Sequence, residues 1–67
     1  MIDVTHKLEA IKVHKESKIV WIKLSGEEEF NYILSNHPDT PTGYKSISHV
    51  NSGSCFLITK FALAELL

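Results

Sequence analysis

A chain of 67 residues holds one domain with no room for a second. Its 43% hydrophobic and 22% charged residues exclude a disordered chain. A formal net charge of −1 leaves no global field to recruit nucleic acid or an anionic membrane. A core of this size supplies roughly 3–5 kcal/mol, and Cys55 is the only cysteine, so no disulfide within the chain can add to it.

The single cysteine fits a reducing compartment. The N-terminal Met1-Ile2-Asp3-Val4-Thr5-His6 has neither the basic nor the apolar segment of a signal peptide. The apolar runs Ile19–Ile22 and Phe61–Ala64 are far too short to span a bilayer. These features read as a soluble, cytoplasmic protein. Charge is uneven: residues 1–24 carry a formal +2 and residues 25–67 a formal −3. The sequence contains no arginine and no glutamine, a bias that suits an AT-rich genome such as a bacteriophage or a low-GC bacterium.

In chain order, the first predicted unit is a hairpin of Leu8–His14 and Lys18–Leu24. Ile11 and Val13 alternate with Lys12 and His14, as in a half-covered strand. Ile19-Val20-Trp21-Ile22 is β-branched and aromatic, which suits a central strand and places Trp21 in the core. A rival reading makes residues 3–14 a helix, because Val4, Leu8 and Ile11 stand at i, i+4 and i+7. The strand after it favours the hairpin.

A helix is expected next. Ser25-Gly26-Glu27-Glu28 has the form of a capping box, and Glu27, Glu28 and Glu29 suit the positive end of a helix dipole. Phe30, Ile33 and Leu34 then form an i, i+3, i+4 stripe, and His37-Pro38 ends the element. After a loop at Asp39–Gly43, a polar strand (Tyr44–Val50), the turn Asn51-Ser52-Gly53-Ser54 and an apolar strand (Cys55–Lys60) make a second hairpin. A short terminal helix runs from Phe61 to Leu67. Shifted by 37 positions, residues 8–30 fall on 45–67, with Val13 on Val50 and Ser17 on Ser54. The fold class expected is therefore α+β, in the order β-β-α-β-β-α. It is a four-stranded antiparallel sheet with helices on one face.

No motif carries chemistry. The histidines His6, His14, His37 and His49 lack metal-ligand spacing and read as surface residues, so no metal and no cofactor is expected. Cys55 opens an apolar strand, where a thiol acts as a small hydrophobe. Glu27–Glu29 are accounted for by the helix start. No catalytic residue is assigned, and the protein reads as a non-enzyme.

The C-terminal Phe61-Ala62-Leu63-Ala64-Glu65-Leu66-Leu67 is apolar nearly all round, whereas a surface helix needs a polar face. Phe61, Leu63, Leu66 and Leu67 are therefore the candidate partner-binding residues. The function expected is a small protein-interaction module, an adaptor or inhibitor of a larger protein or a homodimer. The alternative is a small nucleic-acid-binding regulator using Lys12, Lys15, Lys18 and Lys23 of the first hairpin.

Overall fold

The computed structural model describes every residue from Met1 to Leu67. Six strands form one sheet: β1 (Ile2–Asp3), β2 (Leu8–His14), β3 (Ile19–Leu24), β4 (Tyr32–Ser35), β5 (Tyr44–His49) and β6 (Cys55–Thr59). One helix, α1 (Lys60–Leu66), closes the chain. The spatial order is β1-β6-β5-β4-β3-β2. The β1–β6 pair is parallel and every other pair antiparallel. This corrects the expected four-stranded antiparallel sheet with two helices on one face: the sheet is mixed, has six strands and carries a single short helix.

The missing helix has a local cause. Gly26 sits at φ 88°, in the left-handed region, where the first residue of a helix capped by Ser25 would need a right-handed backbone. The Glu27 N–H instead donates to the Leu24 carbonyl at 3.2 Å, closing a four-residue turn with glycine at its third position, as a type II turn requires. The chain then reverses into β4. There the stripe Phe30, Ile33, Leu34 is divided between two faces: Leu34 packs on the core, while Ile33 pairs with outward-facing Trp21.

The rival helix over residues 3–14 survives only as a 3-10 turn at Thr5–Lys7. Asp3 holds that turn open, since its Oδ1 accepts from the Thr5 N–H at 2.8 Å and from the Thr5 hydroxyl at 2.5 Å. These two bonds lower the Asp3 carboxyl from its ordinary value, the hydroxyl bond most.

The two edge strands β1 and β2 are consecutive in sequence, joined only by Val4–Lys7. A sheet whose opposite edges are tied by so short a link must curl, and the molecule measures 26 × 24 × 23 Å. This seam is anchored at each end by the adjoining ladder: the Val4 N–H donates to the Leu57 carbonyl at 2.8 Å, continuing β1–β6, and the Ser25 N–H to the Lys7 carbonyl at 2.7 Å, continuing β2–β3. Helix α1 contacts β2 and β6 on either side of the seam.

Alternation along the strands fills the interior. Val4, Ile22, Leu24, Tyr32, Ile47, Ile58 and Leu63 form the core, with Leu8, Ile11, Leu34, Phe56 and Ala62 packed against it. The Tyr32 ring meets His49 and Phe56 edge-on, at centroid separations of 5.0 and 6.0 Å, the arrangement that ring quadrupoles favour. On the outer side a hydroxyl cluster forms where β4 meets β5. Fully buried Ser46 donates to the Ser35 carbonyl at 2.9 Å and accepts from the His37 N–H at 3.1 Å. No buried side-chain nitrogen or oxygen lacks a partner.

Candidate interaction surfaces

Helix α1 begins because Thr59 can cap it. Its backbone is extended and its hydroxyl accepts from the Ala62 N–H at 3.2 Å. The Thr59 N–H in turn donates to the Thr5 hydroxyl at 3.1 Å, which ties the helix start to the seam. A helix of seven residues is about 10 Å long, so it presents only one face to the core. Leu63 occupies that face at 6% exposure, and Ala62 beside it is half-buried. Of the four proposed partner-binding residues, Leu63 therefore belongs to the interior. Phe61, Leu66 and Leu67 are 76%, 46% and 73% exposed.

An apolar groove of about 270 Å³ runs beside the helix, lined by Leu34, Leu63, Ala64 and Leu67 together with Lys45 and Lys60. The same two lysines line a polar cleft of about 420 Å³ on the side of His37, Thr40 and Tyr44. Neither has a carboxylate within ion-pair distance; the one lysine that does is Lys23, paired with Glu9.

The first hairpin presents a second surface. Lys12 lies opposite Trp21 in register, on the face of the sheet away from the core. Trp21 is half-buried there, which corrects its expected place in the core: Ile22 and Leu24 take the inward positions of β3, and alternation turns Trp21 outward. A recess of about 260 Å³ is lined by Lys12, His14, Trp21, Glu29 and Phe30. Lys15 and Lys18 are exposed in the adjoining turn, whereas Lys23 is neutralised by Glu9.

The groups weighed for chemistry are dispersed. No three histidine, cysteine, aspartate or glutamate side chains come together as metal ligands. The Cys55 thiol lies 3.5 Å from the Ser48 hydroxyl and 3.6 Å from the Gly53 carbonyl, with no base beside it. Three histidines act as turn caps. His14 Nδ1 accepts from the Ser17 N–H at 3.3 Å, His37 Nδ1 from Asp39 at 3.2 Å, and His49 Nδ1 from Asn51 at 3.2 Å and Ser52 at 3.3 Å. The imidazole does here what an Asn or Asp side chain does in an Asx turn. A sequence signal for this exists in hindsight: each histidine immediately precedes a chain reversal.

Glu27 also gains a role that a capping box does not assign. Its carboxylate accepts from Asn31 Nδ2 at 2.8 Å and from the Tyr32 hydroxyl at 2.9 Å, pinning the turn to the start of β4. The Asn31 bond, helped by Tyr32, holds Glu27 below its ordinary value against the opposing effect of burial. Burial, and then the Glu27 carboxylate, push the Tyr32 phenol up.

Comparison with protein-family models, with curated proteins and with solved structures gives no match. No helix is long and apolar enough to cross a membrane.

Proposed function

We propose that the protein is a non-enzymatic interaction module whose contact surface is the C-terminal helix. One observation carries this reading: α1 commits a single large apolar side chain, Leu63, to the core and leaves Phe61, Leu66 and Leu67 in water. Three large apolar side chains left exposed on one seven-residue helix and its cap are more than a surface helix with a polar outer face carries. The flanking groove sets the partner's chemistry. Its apolar wall holds two lysines without carboxylate partners, so the complementary surface is an apolar anchor beside an acidic group. An adaptor or inhibitor of a larger protein would use such a contact to bridge or to occlude.

The test is affinity capture from host lysate with the wild-type chain and the Leu66→Glu/Leu67→Glu variant as baits, beside sedimentation velocity over a concentration series. The wild type is expected to retain a defined partner or to self-associate. The variant is expected to lose that contact while amide protection in β2–β6 stays intact. Equal behaviour of a folded variant and the wild type in both measurements would remove the helix as the contact surface.

A further inference from the structure

The outer face of the first hairpin brings aromatic and basic side chains together in one recess. Two aromatic rings, Trp21 and Phe30, share a recess with Lys12 and His14. His14 uses Nδ1 to cap its turn, which leaves Nε2 free to donate. Lys12 and Trp21 stand opposite each other across β2 and β3, and both line the recess. Lys15 and Lys18 extend positive charge from the recess into the turn, where Glu16 is the one acid and no carboxylate lies within ion-pair distance of either lysine. We infer that this face is a binding site for single-stranded nucleic acid, with a base stacked on Trp21 and Phe30 and phosphates tracked by Lys12, Lys15 and Lys18.

The chemistry favours a single strand over a duplex. An aromatic platform needs an unstacked base, and stacking tolerates any sequence. Arginine, which makes the commonest specific contact to a base edge in the major groove, is absent from the chain. A recess of about 260 Å³ suits one base. Lys23 is excluded from the phosphate track by its pairing with Glu9. Glu29, the one carboxylate in the lining, opposes phosphate and sets binding weak. The site shares no residue with the C-terminal contact surface, so either reading can fail without the other.

Trp21 is the only tryptophan, which makes its fluorescence a direct probe. The full chain is titrated with an oligothymidylate, the mononucleotide and a duplex, at about 20 mM and about 200 mM salt. Quenching by the oligonucleotide is expected, and affinity should fall with a log–log salt slope of roughly −2, as three phosphate contacts at about 0.7 each imply. Lys12→Ala should weaken binding several-fold and make that slope shallower by about 0.7. Phe30→Leu should weaken binding with the slope unchanged. Glu29→Gln should tighten it, and Lys23→Ala should leave it as it was. An unquenched Trp21 at low salt would overturn the inference, as would quenching indifferent to Lys12→Ala. Equal quenching by mononucleotide or by duplex would overturn the assignment to a single strand.

Discussion

The hairpins β2–β3 and β5–β6 are built on one plan and put to different uses. Each ends its first strand at a histidine, His14 or His49, whose ring accepts the amide of the residue three positions on. In each, the residue four positions on donates its amide back to the histidine carbonyl, Lys18 at 2.8 Å and Gly53 at 2.9 Å. Both of those residues have positive φ, 63° and 73°. His49 stands 35 positions after His14, so the turns align at that spacing. The difference is position. The β5–β6 hairpin lies inside the sheet, covered by neighbours on both sides, and runs into a capped helix. The β2–β3 hairpin ends at a free edge, keeps its charged face in water, and runs into a glycine turn. The same local device thus supports the core in one place and presents a surface in the other.

That contrast can be broken most severely at the core. Ile47→Ala in β5 removes a fully buried side chain and is expected to cost about 2–5 kcal/mol, enough to unfold much of so small a domain. Val13→Ala in β2, at a site 48% exposed, should cost less than about 0.5 kcal/mol. Urea titration followed by circular dichroism measures both. Equal costs would mean that the edge hairpin is as integral as the central one.

A smaller effect is expected at the helix into which the central hairpin runs. Thr59→Ala removes the cap of α1 and should lower stability by about 1 kcal/mol, with faster amide exchange confined to residues 60–67. The turns themselves sharpen the comparison at a finer scale. A lysine in the left-handed region costs energy that glycine does not. Lys18→Gly should therefore stabilise by about 0.5 kcal/mol and Gly53→Ala destabilise by about 1 kcal/mol. If both changes prove neutral, the two turns do not share their backbone geometry.

The gentlest perturbation is pH, acting on the bond that starts β4. Glu27 is held below its ordinary 4.5, so its contribution is complete above that pH and is lost as pH falls through the lowered value. Tyr32 is raised above its ordinary 10.0, so its contribution is complete below that pH and is lost as pH rises through the raised value. The contributions of these two groups are constant between those limits and decline beyond them. Glu27→Gln should make the acid limb shallower, leaving the share of Asp3, whose carboxyl is also lowered, and denaturant midpoints across pH would show it.

Much of the framework is legible residue by residue. Alternation of apolar and polar side chains places both hairpins within a residue of their observed strands. Asn51-Ser52-Gly53 marks its turn because glycine tolerates positive φ at that point. The terminal run from Phe61 reads as a helix too apolar for its exposure. The site was less legible. Leu63 and Leu66 are equally apolar, and only the position of the helix over the seam separates a buried leucine from an exposed one. Trp21 reads as core by composition, yet its neighbours Ile22 and Leu24 hold the inward positions, and no local property says which of two apolar faces is inside. The segment after Leu24 misleads for a different reason: capping residues and an i, i+3, i+4 stripe are necessary for a helix but do not prevent a strand.

Where the chain turns and which segments can extend are settled by neighbouring residues, through side-chain branching, glycine and period-two patterning over a few positions. The folded arrangement decides the rest: that Tyr32–Ser35 is a strand, that Ile2–Asp3 joins the sheet in parallel, and which side chains remain outside. The cause lies in the pairing, since β4 gains its hydrogen bonds from β3 and β5, and β1 gains its own from β6, a partner distant in sequence. The capping box at Ser25 is a local preference worth about 1 kcal/mol, and a strand bonded on both sides with Tyr32 and Leu34 in the core outweighs it.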